Sequence, residues 1–348
     1  MGSAKKIGLI GRLDLDCTLF DGQTVKTRMM YRLLCELYGE QNIVIVDTKD
    51  YKRNALSIAM RTARCLYCCK DVFVLLSRNG RRAFFPLLSF AARYFHTNVY
   101  HNLIGGWLAK DIDEFPQWVG YLNSFSVNWV ESRQLVERLC ELGVNNVEYL
   151  PNFKYLDAVR LPKEAHYGPV YRFCTFSRVQ ELKGINDAIE AVETLVARGY
   201  DCFLDLYGPI DASYRADFEK IIKVCSRANY KGCVAPEQSV KVISQYDALL
   251  FPTKWKLEGI PGTIIDALSA GVPVISSKWQ YYNEMLEDGV TGFGYEIGRS
   301  DQLVDAIEKF ISLGDSANSL RKNCLDRAKA YTPEAVSGIV LQAVEDNV

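Results

Sequence analysis

The chain has 348 residues, of which 49% are hydrophobic, and its 41 basic and 42 acidic side chains give a formal net charge of -1. This length suits two domains of ordinary size, and the composition is that of a soluble globular protein. The near-zero net charge gives no reason to expect a polyanionic partner such as nucleic acid.

The first predicted strand is the apolar run at residues 7–10, and a polar loop follows it. In that loop Asp14 and Asp16 flank one residue and Thr18 follows, which resembles the nucleophile motif of haloacid-dehalogenase-type phosphatases. This resemblance implies a Mg²⁺-dependent enzyme with Asp14 as nucleophile and Asp16 as general acid/base. Against it, a glycine and an arginine separate Asp14 from the strand, and no later acidic pair follows a strand. The other interpretation is a plain polar loop.

A turn at residues 21–24 begins a predicted helix that extends to Leu37. Gly22 in this turn lets the backbone approach a ligand, and the helix N-terminus favours an anion there. The next apolar run, residues 43–46, predicts the second strand.

Residues 49–95 have a different charge balance from the rest of the chain. Only Asp50 and Asp71 are acidic there, whereas ten residues are basic: Lys49, Lys52, Arg53, Arg61, Arg64, Lys70, Arg78, Arg81, Arg82 and Arg93. Aromatic and aliphatic side chains are interleaved with these charges, but the apolar runs are too short and too charged to span a bilayer. This composition fits docking on an anionic membrane surface, and it also fits two ordinary helices around a buried strand at residues 72–76. Nucleic-acid binding is a poorer account, because no recognised motif accompanies the charge.

The eleven cysteines are scattered along the chain, and only Cys65, Cys68 and Cys69 form a cluster. Cys65 and Cys68 have the spacing of a redox or zinc-binding pair, but no second pair and no histidine lies near them in the sequence. The sequence therefore predicts free thiols in a reducing cytoplasm.

Three more strands are predicted before the middle of the chain, at residues 98–102, 126–129 and 147–150. His101 lies at the end of the first of these. A stretch rich in proline, glycine and charge follows at residues 162–169 and predicts a hinge between two domains.

The second half of the chain begins with a predicted strand at residues 171–176, and Arg178 and Lys183 follow it just before a helix. Cations held at a strand end next to a helix start can neutralise a diphosphate as it leaves. As isolated residues, they would be ordinary surface charges. Further strands are predicted at residues 203–207 and 230–234.

Residues 248–276 predict a strand–loop–helix–strand unit. The strand ends at Pro252, a polar loop leads to a Gly-Ile-Pro-Gly turn at residues 259–262, and Gly271 ends the helix before a strand at residues 272–275. In parallel sheets, ligands bind at the carboxyl ends of strands, against helix N-termini. The unpaired amides at this helix start therefore favour an anionic ligand such as a phosphate.

Two carboxylates frame this turn, because Glu258 precedes it and Asp266 lies in the first turns of the helix. A carboxylate accepts paired hydrogen bonds from adjacent hydroxyls, so two of them around an anion site suit a ligand with sugar on both sides of a phosphate. The alternative is an acidic helix start that complements the helix dipole, beside a solvated loop carboxylate.

Residues 258–266 resemble the acidic–seven–acidic motif of retaining, nucleotide-sugar-dependent glycosyltransferases with the GT-B fold (family 4, or group 1). Arg178 and Lys183, with the glycine after it, resemble the Arg…Lys-Gly motif of the same family. This sequence departs from the family at Asp266, where glutamate is usual, so the side chain is one methylene shorter. The resemblance is strongest over residues 171–293. It implies an α/β protein with two Rossmann-like, doubly wound domains that face each other across a cleft.

The resemblance implies a role for each matched residue. Glu258 would hold hydroxyls of the donor sugar, and Asp266 those of the ribose. Arg178 and Lys183 would contact the donor phosphates and stabilise the departing diphosphate. His101 would project into the cleft, near hydroxyls of the donor sugar and the acceptor. The donor-binding residues that the resemblance implies are Gly22, Gly208, Cys233, Val234, Gly259, Ile260, Pro261, Gly262, Thr263 and Asp266.

The resemblance also implies the domain organisation. Residues 1–165 would form an acceptor-side domain and residues 166–330 the nucleotide-sugar domain. A terminal helix at residues 331–348 would cross back to the first domain.

The reaction expected from the resemblance is transfer of a hexose, with retention, from a UDP-linked sugar to an acceptor hydroxyl. The acceptor would be a glycan or a lipid-linked intermediate in bacterial surface-polysaccharide assembly. No cofactor and no metal are expected, since the cations and helix ends could do the work of Mg²⁺. The protein would be cytoplasmic, and peripheral on the inner face of the membrane if the basic segment docks there. The alternative from another class is a nucleotide-binding partner protein that has kept the fold and lost activity.

Overall fold

The computed structural model of the protein describes residues 5–16, 18–19, 21–155 and 168–347. Backbone contacts divide these residues into two compact units. The first unit runs up to Tyr155 and takes in the chain again from Tyr331, and the second ends at Ala330. The domain boundary predicted at residue 165 and most of the hinge predicted at residues 162–169 lie outside the described residues.

The first unit alternates strands and helices along the chain. Its elements are β1 (Ile7–Gly11), α1 (Gly22–Tyr38), β2 (Ile43–Asp47), α2 (Tyr51–Cys68), β3 (Asp71–Leu75), α3 (Arg78–Phe95), β4 (Asn98–Asn102), α4 (Leu108–Glu114), α5 (Trp118–Leu122), β5 (Val127–Val130), α6 (Arg133–Glu141) and β6 (Val147–Tyr149). The six strands are parallel and lie in the order β2-β1-β3-β4-β5-β6. Their near-continuous apolar runs reflect burial on both faces of a parallel sheet.

The second unit repeats this architecture. Its elements are β7 (Val170–Phe176), α7 (Ile185–Ala197), β8 (Asp201–Tyr207), α8 (Arg215–Val224), β9 (Ala228–Gly232), α9 (Ser239–Ile243), β10 (Ala248–Phe251), α10 (Gly262–Ser269), β11 (Val274–Ser277), α11 (Tyr282–Met285), β12 (Gly292–Tyr295), α12 (Ser300–Ser312) and α13 (Asn318–Ala328). The parallel strand order is β12-β11-β10-β7-β8-β9. The first strand of this unit, β7, therefore lies beside its fourth, β10. This is the switch point at which such sheets bind ligands.

Three strands in the second unit have boundaries that differ by two residues from the sequence expectation, and the first of them, β8, begins at Asp201 instead of residue 203. β9 begins and ends two residues before the expected 230–234, and β11 begins two residues after the expected start at 272. For β11 the reason is local. Pro273 has no N–H to donate, so it contributes only its carbonyl, to Leu249 N, and the strand begins after it.

The chain ends with α14 (Pro333–Glu345), which packs on α1 of the first unit. Pro333 occupies the first turn, where its missing N–H costs no hydrogen bond. Val336, Val340 and Val344 are buried in the core of the first unit, on the side of the sheet that also holds the stacked rings of Tyr100 and Trp129. This helix therefore contributes to the first unit.

The basic segment at residues 49–95 forms α2, β3 and α3, as expected for ordinary helices around a buried strand. Over the described ranges, no helix combines the length and the apolar composition that crossing a membrane requires. Cys17 lies outside the described residues. The other ten cysteines are free thiols, with Cys65 and Cys69 buried and Cys68 exposed.

Candidate functional site

The candidate site lies at the switch point of the second unit, where β7 and β10 are neighbours. Arg178 and Lys183 follow β7, and Glu258 follows β10. Because the two strands are parallel, both loops leave the sheet at the same edge. The topology of the sheet thus brings Lys183 and Glu258 close together in space, although they are far apart in the sequence.

Lys183 and Glu258 form an ion pair in which Lys183 Nζ donates to Glu258 Oε2, and their side chains are only 14% and 19% exposed. Thr253 Oγ1 donates to the same carboxylate oxygen at 3.3 Å. The rings of Phe251 and Trp255 lie 5.7 Å and 6.0 Å from Lys183 Nζ, within the range of a cation–π contact. The cation and the carboxylate are therefore held in a defined, half-buried position, where charged hydrogen bonds are stronger than in bulk water.

The loop after β7 lies directly on the loop after β10. Gly184 has a φ of +68°, and a Cβ at this position would lie 1.9 Å from the carbonyl oxygen of Pro252. Lys254 N donates to Leu182 O at 2.9 Å, which joins the two backbones. A glycine after Lys183 is thus required by both conformation and space, since only glycine adopts this φ at no cost and brings no Cβ.

We expect Gly184→Ala to lower the free energy of unfolding by about 3 kcal/mol or more, because the new methyl group clashes with the Pro252 carbonyl as well as straining the backbone. Gly199→Ala is the matched control. Gly199 also has a positive φ, of +97°, but a Cβ there would meet nothing within 4 Å, so it should lose only about 1–2 kcal/mol. Urea unfolding of both variants measures the difference, and equal losses would contradict this account of the loop packing.

Arg178 lies at the end of β7 but does not join this ion pair. Its nearest carboxylate is that of Asp211, at 3.9 Å, and its side chain is 51% exposed. The pKa of Asp211 is lowered, first by hydrogen bonds from Ser213 and to a smaller extent by Arg178. Gly208, with a φ of +131°, packs the end of β8 on that of β7, since a Cβ there would lie 1.9 Å from the Ser177 carbonyl oxygen. Arg178 therefore remains an accessible cation at the same sheet edge.

The predicted turn at residues 259–262 leads into α10, which begins at Gly262 after Pro261. Among the described residues no side chain caps this helix start. The first amides of a helix have no intrahelical partner, so this end of α10 favours an anion. Trp279 Nε1 donates to Gly259 O at 3.2 Å and fixes the turn, and Ile260 is buried beneath it.

α10 carries the half-buried Thr263 near its start and the buried Asp266 in its second turn. Thr263 Oγ1 is itself shielded from solvent and has no hydrogen-bond partner in the part of the chain that the structure describes. Asp266 is 3% exposed, in the second turn. Its predicted contact with a ribose stays a prediction.

Cys233 and Val234 follow β9, the edge strand beside β8, and are exposed and half-buried respectively. The end of β9 is tied to the end of β8, because Gly208 N donates to Gly232 O at 2.9 Å. The structure places these two residues at the same sheet edge as Arg178. Their contact with a nucleotide base stays a prediction.

Sequence reasoning overlooked the neutral and aromatic residues around the ion pair. Thr253 and Trp255 lie in the loop before Glu258, and Trp279 comes from the segment after β11. It also overlooked the ion pair between Lys254 Nζ and Asp187 Oδ1, at 2.7 Å, which pins this loop to α7. The available signal was an unusual loop composition, with two lysines around a tryptophan, but only the fold shows where these side chains lie.

Gly22, in the first unit, is the first residue of α1, and Asp21 caps that helix by accepting from Thr24 N at 3.3 Å. Asp21 also pairs with Arg12. A Cβ on Gly22 would meet nothing within 4 Å, so packing within the protein does not require a glycine here. Its predicted approach to a donor stays a prediction.

His101 differs from the expectation that its ring projects into a cleft, and in this respect the prediction is wrong. The side chain is fully buried in the first unit, its Nδ1 lies 3.1 Å from Asn128 Oδ1, and its ring meets Phe85 edge-on at 5.1 Å. Burial lowers the pKa of His101 to about 3, so the imidazole is neutral at physiological pH. The reason is that both faces of β4 are covered, and the face to which His101 points is packed by helices. Contact with a sugar stays a prediction.

Buried His101 should make the first unit sensitive to acid. Below an unfolded-state pKa of 6.5 the unfolded chain binds a proton that the folded imidazole accepts only near a pKa of about 3. The free energy of unfolding should therefore fall as the pH drops from 6.5 towards 3, by at most about 1.4 kcal/mol per pH unit from this group. In denaturant unfolding at a series of pH values, His101→Gln should show a shallower decline over that window, and identical slopes would contradict the assignment.

In the phosphatase-like motif, Asp14 makes hydrogen bonds that hold the surrounding structure together. Asp14 is fully buried and accepts hydrogen bonds from Arg28 at 2.7 Å, from Leu19 N at 2.6 Å and from Lys49. Burial alone would raise the pKa of Asp14, but the hydrogen bonds from Lys49, Leu19 N and Thr18 outweigh it and hold the pKa well below its usual range. Its oxygens are thus occupied, while Asp16 is 83% exposed. A buried, doubly paired carboxylate is a poor nucleophile, and the phosphatase interpretation finds no support.

A family model matches residues of the second unit, and curated proteins match about half of the chain or less. Residues 161–327 match the family described as glycosyl transferases group 1. Over 179 residues the chain is 26% identical to an alpha-D-kanosaminyltransferase of Streptomyces kanamyceticus, covering 48% of this chain and 45% of that protein. Over 154 residues it is 28% identical to the amylovoran biosynthesis glycosyltransferase AmsK of Erwinia amylovora, covering 41% and 34%. The chain therefore spans less than half the length of these curated relatives.

A solved structure has a similar fold over 98% of this chain. The crystal structure of Anabaena Alr3699/HepE in complex with UDP and glucose superposes with a TM-score of 0.74, covering 98% of this chain and 100% of that one at 13% identity. At this identity the likeness establishes the fold, and the predicted GT-B fold with two parallel six-stranded sheets is confirmed. Residues 161–327, which include nearly all of the second unit, are therefore similar to group 1 glycosyl transferases, and the chain has the GT-B fold.

Proposed function

We propose that the protein transfers a sugar from a nucleotide sugar, with UDP as the nucleotide, to an acceptor hydroxyl. The observation that carries the proposal is the pairing of Lys183 with Glu258 at the switch point of a group 1 domain. This site offers a cation for phosphate and a carboxylate for sugar hydroxyls side by side. The UDP and glucose in the Anabaena HepE structure support the choice of donor.

In the proposed reaction the bond between the anomeric carbon and the diphosphate breaks, and its electron pair goes to the diphosphate oxygen. The acceptor hydroxyl forms the new bond to that carbon, and its proton passes to the departing diphosphate. Lys183, Arg178 and the amides at the start of α10 would stabilise the charge that develops on the leaving group. Glu258 would orient the sugar through its hydroxyls. Retention at the anomeric carbon is part of the proposal and follows from the family resemblance.

Lys183 has to change partners during this cycle. Without a donor, its charge is neutralised by Glu258. A bound diphosphate would draw the ammonium towards itself, and the carboxylate would then be free to accept from two sugar hydroxyls. The ion pair would thus keep both groups in place, and the donor would replace it with two new sets of charged hydrogen bonds.

The proposed acceptor is a glycan or a lipid-linked intermediate in bacterial surface-polysaccharide assembly. The relative AmsK is named for amylovoran biosynthesis, which supports a glycan acceptor. We further propose that transfer needs no metal, because Arg178, Lys183 and the start of α10 supply the positive charge that Mg²⁺ would otherwise provide. Transfer should therefore persist in EDTA. The cytoplasmic location stays a prediction.

The test is nucleotide release from a panel of UDP- and GDP-sugars, with and without candidate glycan acceptors. We expect release of UDP from one UDP-sugar, increased by an acceptor and unaffected in Asp14→Asn if that variant remains folded by circular dichroism. Binding of UDP-sugars without any transfer would favour a non-catalytic partner protein. Mg²⁺-dependent phosphate release from simple phosphomonoesters, lost in Asp14→Asn, would contradict the proposal.

A further inference from the structure

The outer sides of α2 and α3, residues 51–68 and 78–95, form a surface that we call the α2–α3 surface. On α3 the side chains of Leu87, Phe90 and Tyr94 are 43%, 49% and 67% exposed. Their spacing of three and four residues places them in one stripe, opposite the buried Phe85 and Leu88. The rings of Phe90 and Tyr94 are 4.7 Å apart. This helix is therefore apolar on its outer side as well as on its inner side.

α2 shows the same feature with more charge. Of its residues only Ile58, Thr62 and Cys65 are buried, and Leu56 and Met60 are 75% and 61% exposed. Exposed apolar residues scattered singly need no explanation, but an exposed apolar set at helical spacing on each of two helices is a feature of surfaces that mediate binding.

The two helices lie on the same face of the first sheet. The chain crosses from β2 to β3 and then from β3 to β4 in the same direction across the strand order. Right-handed crossovers in one direction place both connecting helices on one face. α1 makes its crossover in the opposite direction, so it covers the other face, together with α14. The exposed stripes of α2 and α3 thus point to the same side of this unit.

The charged side chains of α2 and α3 themselves are all basic, although those of α3 are partly neutralised by Asp111 and Glu114 of α4. Between residues 51 and 97 the only acidic residue is Asp71, which is buried and pairs with Lys5 at 3.0 Å. On α2, Arg61 and Arg64 are exposed, and no carboxylate of the described chain pairs with either of them. Arg82 on α3 pairs with Glu114. A net positive surface with protruding apolar side chains is the composition that binds at the boundary between headgroups and acyl chains.

We propose that the α2–α3 surface docks the protein on an anionic lipid bilayer, with the arginines of α2 against the headgroups and the stripe of α3 inserted among them. A second copy of this chain is a poorer occupant, because a two-fold interface through this surface would set cations against cations. The proposal goes beyond the transfer reaction and does not depend on it, since the α2–α3 surface belongs to the first unit and the Lys183–Glu258 pair to the second.

The test is co-sedimentation of the full chain with phosphatidylcholine vesicles and with vesicles in which about 30% of the lipid is phosphatidylglycerol. We expect binding to the anionic vesicles only, falling at least about tenfold when salt rises from about 50 mM to about 500 mM. Arg61→Gln with Arg64→Gln should weaken it at least about tenfold. Phe90→Ser with Tyr94→Ser should also weaken it, and what remains should depend more steeply on salt.

The matched control is Lys220→Gln with Val224→Ser on α8, where the two side chains are similarly exposed, at 77% and 84%. This variant should bind vesicles like the wild type, and circular dichroism should show all three variants folded. Equal binding to neutral and anionic vesicles, no binding to either, or an equal loss in the α8 control would overturn the proposal. So would a dimer in sedimentation velocity that Phe90→Ser with Tyr94→Ser dissociates, if those changes leave vesicle binding intact.

Discussion

Lys183→Gln is expected to lower kcat/KM for sugar transfer by about 10²–10³-fold, the usual effect of removing one preorganised charge donor from a developing anion. Glutamine keeps the length of the side chain approximately and removes its charge. The control is Lys256→Gln, an exposed lysine of the neighbouring loop, which should change kcat/KM less than about threefold. The measurement is steady-state UDP release in the presence of acceptor. Equal effects of the two substitutions would show that Lys183 is only a surface charge.

Glu258→Gln is expected to reduce kcat/KM by about 10²-fold or more. Replacing the carboxylate with an amide removes charged hydrogen bonds to the donor sugar that are worth about 1.5–3 kcal/mol each. The effect of Glu258→Gln on the affinity for UDP should differ from the effect of Lys183→Gln. The free cation of Lys183 no longer has a carboxylate partner in this variant, so UDP should bind at least as tightly as to the wild type.

The control for this substitution is Glu219→Gln, on the exposed side of α8, where the side chain makes only a surface pair with Arg215. It should leave both transfer and UDP binding unchanged. Weaker binding of UDP to Glu258→Gln would contradict the assignment of Glu258 to the donor sugar, because UDP carries the ribose but lacks the donor sugar.

The strands and the charged residues of the second unit were accessible from the sequence because their signals are local. A short apolar run followed by Arg178 and Lys183, and another followed by Glu258, each indicate the end of a buried strand. The rule that parallel strands present their carboxyl ends at one edge then brings the two loops together. The ion pair between Lys183 and Glu258 forms because their two strands end at this shared edge of the sheet.

The orientation of His101 was not accessible in the same way. In a parallel sheet both faces of a strand are covered, so alternation along β4 does not reveal which side chain reaches a site and which enters the core. Asn128, which pairs with His101, lies on another strand and has no signal of its own in the sequence. The neutral residues around Glu258, such as Thr253 and Trp255, were overlooked for the same reason, since their positions depend on packing rather than on a motif.

The basic segment shows why composition alone left two interpretations open. The same residues build α2 and α3 of an ordinary α/β unit and also carry an exposed, cationic and apolar outer side. The two interpretations are compatible, because a helix that packs on a sheet uses only part of its circumference. Only burial in the folded chain separates the stripe of Phe90 and Tyr94 from the core residue Phe85.

The most direct test of the central claim is calorimetric titration of UDP into the wild type, Lys183→Gln and Glu258→Gln. If the Lys183–Glu258 site binds the diphosphate of the donor, Lys183→Gln should bind UDP at least about tenfold more weakly, and Glu258→Gln should bind it no more weakly than the wild type. Equal affinity of UDP for the wild type and Lys183→Gln would contradict the claim.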